Sequence, residues 1–285
     1  MIAIPLGLIT AVVYGFADFF GAIASRKIRS VAVTFFSAVS GLVLILTATG
    51  IFGAKFTAES VGWGIAGGVL SAIAINALYA ALAIGPISII SPMTAVLSAV
   101  VPAVVGLSLG EQFSGLGWLA IAAILVAVVL VGFVPGEAVR LPSAAGLSYG
   151  LIAGVGIGFV MVALDAAPAD SGIASVVVLR SVSSLILGLS VIWSFHKKPN
   201  AGEIKNAKSV WAAVVVAGLF DSTANLLFTW ATRIGELTVV SVLTALYPLG
   251  TILLARLVLK EKVARTQLFG IFLALGASAL LAFTH

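Results

Sequence analysis

The sequence predicts an all-α integral membrane protein with ten transmembrane helices in two inverted five-helix repeats, and three observations carry that reading. Of 285 residues, 61% are apolar and only 9% charged, whereas a water-soluble domain needs about a quarter of its residues charged. Breaks marked by charge, Gly or Pro cut the chain into ten apolar runs, each near the roughly 20 residues that cross a bilayer as a helix. The two halves also resemble each other in register.

The runs cover 3–24, 31–52, 60–84, 86–109 and 114–134, then 143–164, 171–194, 209–232, 236–259 and 264–284. Residues 1–134 form the first repeat, 135–142 a linker (Pro135 to Pro142) and 143–285 the second. The first run, from Ile2, lacks a basic leader and is too long for a signal-peptide core, so it is expected to stay as a helix. Ala-, Leu-, Val- and Gly-rich runs do not fit barrel strands, which alternate over about ten residues. Trp63, Trp118, Trp193 and Trp211 fall near predicted ends, as interfacial anchors do.

The repeat is read from matched positions. At an offset of 150, Ile84-Gly85 matches Ile234-Gly235, Ser91 matches Ser241, Thr94 matches Thr244 and Glu111 matches Glu261. At 143, Gly7 and Gly15 match Gly150 and Gly158. An odd number of helices per half sends the second half through the membrane in the opposite sense, the plan of many secondary transporters. Loop charge sets orientation: Arg26, Lys27, Arg29, Arg140, Lys197, Lys198, Lys205, Lys208, Lys260, Lys262 and Arg265 share one face, while the other carries only Lys55 and Arg233 as basic residues, with Asp165 and Asp170 in its loop after the sixth helix. By the positive-inside rule the basic face is cytoplasmic and both termini are extracytoplasmic, in a bacterial-type inner membrane.

The chain has no cysteine, and its two histidines, His196 and His285, lie outside the apolar runs. Thiol chemistry is excluded, and neither a metal site nor any cofactor is expected. Gly106-Leu-Ser108-Leu-Gly110 and Gly146-Leu-Ser148-Tyr-Gly150 match a nucleophile-elbow pattern. Neither follows a strand and no helix offers a histidine base, so no enzyme is expected. There is no phosphate loop for ATP.

Ionisable groups inside the runs are costly and normally face a cavity or a partner. Arg180 and Asp221 fall at similar depth, so they are expected to pair, or Arg180 to hold a substrate carboxylate. Asp18 is a candidate for coupling. Asn76, Tyr79, Ser91, Thr94, Asn225, Ser241 and Thr244 are candidates for the lining of a wet path, with interhelical hydrogen bonding as the competing reading. Tyr14, Tyr79, Trp230 and Tyr247 could contact a large apolar side chain, although ordinary packing explains most aromatics. Pro92 and Pro102 are expected to interrupt the fourth helix, and Pro248 the ninth, each freeing a carbonyl. Gly146, Gly150, Gly154 and Gly158 recur every fourth residue and imply close helix contact.

The Ile-Gly ahead of each fourth helix and the Leu-x-Glu that closes it (Leu109 to Glu111, Leu259 to Glu261) resemble EamA-type transporters of the drug/metabolite transporter superfamily. So do Leu78-Tyr79-Ala80-Ala81 and Phe228-Thr229-Trp230-Ala231. The similarity covers essentially the whole chain, and the YddG-like exporters of aromatic amino acids are its nearest-looking subgroup. It implies a central cavity lined by both repeats, with Glu111 and Glu261 at helix ends as gating or loop-anchoring groups. In a departure, many relatives have basic residues after the first glutamate, whereas Gln112-Phe113-Ser114 follows Glu111 here.

The expected function is a secondary transporter exporting small amphipathic metabolites, most plausibly aromatic or other bulky apolar amino acids. Its partners are that small-molecule substrate and the lipid bilayer, and no nucleic acid. The alternative is proton-driven efflux of cationic drugs, which would use Asp18 or Asp221 and not need Arg180. A non-transporting scaffold or an intramembrane enzyme are remote alternatives.

Overall fold

In a computed structural model the described residues are 2–85, 87–132, 142–197, 207–258 and 264–284. They form α1 (Ala3–Ser25), α2 (Ser30–Phe52), α3 (Ala58–Ile84), α4 (Ile87–Ser108), α5 (Gly115–Gly132), α6 (Ala144–Asp165), α7 (Ala174–Lys197), α8 (Ala207–Ile234), α9 (Leu237–Thr244), α10 (Pro248–Val258) and α11 (Arg265–Thr284). A single 3-10 turn, Ala169–Ser171, precedes α7. Among the described residues seven helices are long and apolar enough to cross a membrane, and Gly115–Val131, Leu237–Thr251 and Arg265–Leu281 are shorter apolar stretches. The protein is an all-α, multi-pass membrane protein. Most of the expected linker and Glu261 lie outside the described residues.

The helix starts follow local chemistry. Thr57 and Ser60 form a reciprocal capping box on α3, with Ser60 N–H donating to Thr57 Oγ1 at 3.1 Å and Thr57 N–H to Ser60 Oγ at 2.9 Å. Ser143 accepts from Gly146 N–H at 3.1 Å and opens α6. One proline expectation is met and one is corrected. As expected, Pro248 interrupts the ninth span, which is two helices because Pro248 has no N–H to give Thr244 and the chain turns through Ala245–Tyr247 before α10 begins. By contrast, α4 is continuous through Pro92 and Pro102, so these prolines cost hydrogen bonds without ending the helix.

Small residues set the crossings. α3 packs on α6 and α7, and α8 on α1 and α2; α4 meets α6, α9 and α10 meet α1, and α5 meets α11. A methyl added at Gly154 would lie 2.7 Å from Leu97 Cβ, and one at Gly158 2.6 Å from Val101 Cβ. Gly7 faces Leu243, and Gly15 faces the Tyr247 carbonyl and Gly250. Lipid tails offer no hydrophobic drive for helices to associate, so this backbone-to-side-chain proximity supplies the dispersion energy that holds the bundle.

Candidate functional site

A polar cleft lies where α2, α3, α7 and α8 come together. It is bordered by Thr34, Ser37 and Ala38 of α2, Ser71, Ile75 and Tyr79 of α3, Arg180, Ser183 and Leu187 of α7, and Asp221 of α8. Its empty space is about 250 Å³ with open solvent included, and its inner part is narrow enough for water rather than an organic solute.

Arg180, 3% exposed, donates through Nη2 to Asp221 Oδ2. This is the pairing that the matching depths predict. An unpaired ion here would carry a desolvation penalty of several kcal/mol, which the partner offsets. Arg180 Nε is buried with no protein partner. A chain of bonds fixes Asp221 from behind: Tyr14 Oη donates to Asn225 Oδ1 at 3.0 Å, and Asn225 Nδ2 donates to the Asp221 carbonyl at 2.8 Å. Tyr14 on α1 is thereby tied to the helix that carries the carboxylate. Asp18 lies one turn further along α1 and is half-buried. Among the described residues it makes no ion pair; the pairs there are Lys55–Asp170 and Arg180–Asp221.

The other candidates separate from this centre. Thr94 Oγ1 and Tyr247 Oη share a hydrogen bond of 2.7 Å, and Thr94 also donates to the Ser91 carbonyl at 2.9 Å. Ser91, Thr94 and Tyr247 thus form a second cluster that ties α4 to the α9–α10 break. Ser241 and Thr244 are fully buried in α9 with unpartnered hydroxyls. Asn76 is half-buried with an unpartnered Oδ1. Tyr79 borders the cleft, and its ring lies so close to α1 that a methyl at Gly21 would collide with it. Trp230 instead meets Phe52 edge-on, with centroids 4.7 Å apart, and lies nine residues along α8 from Asp221, about 13 Å at 1.5 Å per residue. The aromatic quartet therefore forms no single cage.

The sequence reading missed the hydroxyls of α2 and α7. Thr34 Oγ1 donates to the Ser30 carbonyl at 2.8 Å, Ser37 Oγ to the Val214 carbonyl at 3.0 Å, and Ser183 Oγ to the Arg180 carbonyl at 3.2 Å. Such helix-interior hydroxyls usually return to their own backbone, which gives them no functional signature. One clue was available for α3, since Ser71 stands 150 residues before Asp221.

Two contacts join distant parts of the chain at the Asp165/Asp170 face. Glu111 Oε2, just beyond α4, accepts from Thr238 N–H at 3.1 Å in the first turn of α9. Glu236, the residue before α9, makes no side-chain cap of its own. Nearby, the α2–α3 loop and the α6–α7 loop are strapped together: Ile173 N–H donates to the Gly53 carbonyl at 3.0 Å and Lys55 N–H to the Ser171 carbonyl at 3.0 Å. Arg233 pins the strap by donating to the Gly172 carbonyl at 2.6 Å. Lys55 Nζ donates to Asp170 Oδ2 at 2.7 Å. That bond and the opposite charge hold the Asp170 carboxyl below its usual range and push the Lys55 ammonium above its own.

Residues 144–283 match the model of the EamA-like transporter family. A solved structure described as a crystal structure of a protein is 17% identical and superimposes with a TM-score of 0.75, covering 99% of this chain and 96% of that one. At that identity the likeness speaks for the fold. No curated protein matches the sequence.

Proposed function

The chain belongs to the EamA-type transporters of the drug/metabolite transporter superfamily through the match of its residues 144–283, and from that premise we propose a secondary transporter that exports amino acids by alternating access. The family makes it a membrane transporter of small molecules; the substrate and the mechanism are our reading. The observation that carries it is the buried Arg180–Asp221 pair at the edge of the cleft between α2, α3, α7 and α8. An amino acid carries the same two charges on one carbon. Its carboxylate can take the Arg180 fork while its ammonium takes Asp221, so both protein ions keep a partner in the empty and the loaded state.

Alternating access needs the two halves to be inverted repeats of five spans, 1–134 and 143–285, and the packing supports that layout. Gly7 faces Leu243 as Gly150 faces Met93, partners that keep the 143 and 150 offsets of the sequence. The strap between the α2–α3 and α6–α7 loops ties the two halves together at the acidic face. The basic loops face the cytoplasm of a bacterial-type inner membrane, and both termini lie outside, because Lys and Arg are retained on the side of insertion.

Flux of labelled amino acids into proteoliposomes tests the reading. An Arg180→Ala protein that folds and still carries amino acids at the parental rate refutes it. Efflux of cationic drugs is the other outcome of the same assay: it would leave Arg180 without a task and proceed unchanged in that variant.

A further inference from the structure

Where α1 ends and α2 and α8 begin, the surface has two parts, a charged rim and an apolar track below it. Arg26 and Lys27, in the turn between α1 and α2, and Lys208, in the first turn of α8, are all exposed. None of the three is in an ion pair among the described residues, where the pairs are Lys55–Asp170 and Arg180–Asp221. The turn adjoins the start of α8, because Ile28 and Trp211 pack against one cluster that holds Ala24, Val33 and Val210. Three cations without an acid among them favour an anion at this rim.

The track starts directly beneath the rim. Trp211 follows Lys208 by three residues and so shares its face of α8, one turn deeper. Val215 and Leu219 carry that face onward and are exposed. Across the seam between α2 and α8, the exposed Phe36 meets Trp211 edge-on, with centroids 4.7 Å apart. One turn further in, Ser40 Oγ donates to the Val215 carbonyl at 3.3 Å, so the two helices run side by side from the same end. The eight residues from Trp211 to Leu219 offer about 12 Å of apolar length at 1.5 Å per residue. A soluble phosphate would use the rim and leave this track idle. A ligand that fits both parts has an anionic head and an alkyl chain, and an aromatic ring at the junction suits the boundary between them.

We propose that an anionic phospholipid docks in the α2–α8 seam, with its headgroup among Arg26, Lys27 and Lys208 and an acyl chain along Phe36, Trp211, Val215 and Leu219. This binding does not depend on what the protein transports. The probes are phosphatidylglycerol and phosphatidylcholine, titrated into the purified full chain in detergent and counted by native mass spectrometry. Phosphatidylglycerol is expected to be retained, and phosphatidylcholine, whose own ammonium cancels its phosphate, to be lost. Each charge removed, in Arg26→Gln, Lys27→Gln or Lys208→Gln, should weaken retention about fivefold. Lys208→Arg should keep it, which separates lost charge from lost folding. Phosphatidylglycerol with brominated chains should quench part of the tryptophan fluorescence, and that part should be missing in Trp211→Phe, which leaves the rim intact. Equal retention of the two lipids, retention unchanged when all three cations are replaced, or quenching unchanged in Trp211→Phe overturns the proposal. So does glycerol phosphate that displaces the lipid at equal concentration, since a plain anion site has no use for a chain.

Discussion

Glu111 and Thr238 are 127 residues apart, yet the carboxylate of the first accepts the backbone N–H of the second at 3.1 Å. A group at the end of α4 thereby satisfies one of the orphan donors of α9, whose own preceding residue supplies no side-chain cap. Glu111→Ala is expected to cost about 1 kcal/mol, the worth of a lost cap. Glu111→Gln keeps an acceptor oxygen and should cost less. Thermal melting in detergent reads both, and equal melting of parent and Glu111→Ala would refute the capping role.

Breaking the central pair from one side should hurt more than removing it. Arg180→Ala leaves Asp221 buried and uncompensated, a loss of about 3–5 kcal/mol. Arg180→Met combined with Asp221→Leu should recover much of that stability, because no ion is then stranded. Amino-acid flux is expected to be lost in both proteins. A double variant that is stable and still transports would detach the pair from function.

The Lys55–Asp170 bridge imposes an acid limit on the strap. Because the Asp170 carboxyl titrates below its ordinary value of 3.8 when folded, its contribution is complete above that value and disappears as pH falls through the folded pKa. Asp170→Asn should therefore melt below the parent at neutral pH and alongside it well into acid. The Lys55 contribution has the opposite sense, being lost only as pH rises above the ordinary lysine value of 10.5. Both groups are solvent-exposed, so added salt should shrink the difference. A gap that persists in acid would contradict the assignment.

Glycines in α1 and α11 should respond with opposite signs. A methyl at Gly15 would run into the Tyr247 carbonyl and Gly250, which are backbone and cannot rotate away. Gly15→Ala is expected to lose about 1–3 kcal/mol, the usual cost of overpacking. At Gly276 nothing lies within 4 Å, so Gly276→Ala should be neutral or gain up to about 1 kcal/mol in helix propensity. Melting temperatures of the two variants check the contrast.

Much of this fold is written in hydropathy, because bilayer thickness imposes one length on every span. The Arg180–Asp221 pair was equally readable, since buried ions must meet and only similar depths allow it. The prolines were less so. Pro248 stands at the break between two helices whereas Pro92 and Pro102 lie inside one, a difference that the residue type itself does not encode. The contact of Trp230 with Phe52 was not readable, because tryptophan suits either an interface or a ligand wall. The hydroxyls of Thr34 and Ser183 gave no warning at all, as a hydroxyl bonded within its helix reads the same whether or not its lone pairs line a cleft.

The intimate seating of α1 against α8, α9 and α10 has a consequence for biogenesis. As the ribosome delivers the chain, the Gly7 and Gly15 notches of α1 enter the bilayer long before Leu243 and Tyr247 exist to fill them. The nascent bundle must wait with its first helix only partly docked, and its assembly is completed late. A chain stopped after α7 would present that bare glycine track, and the Arg180 guanidinium without Asp221, to the membrane's quality-control proteases.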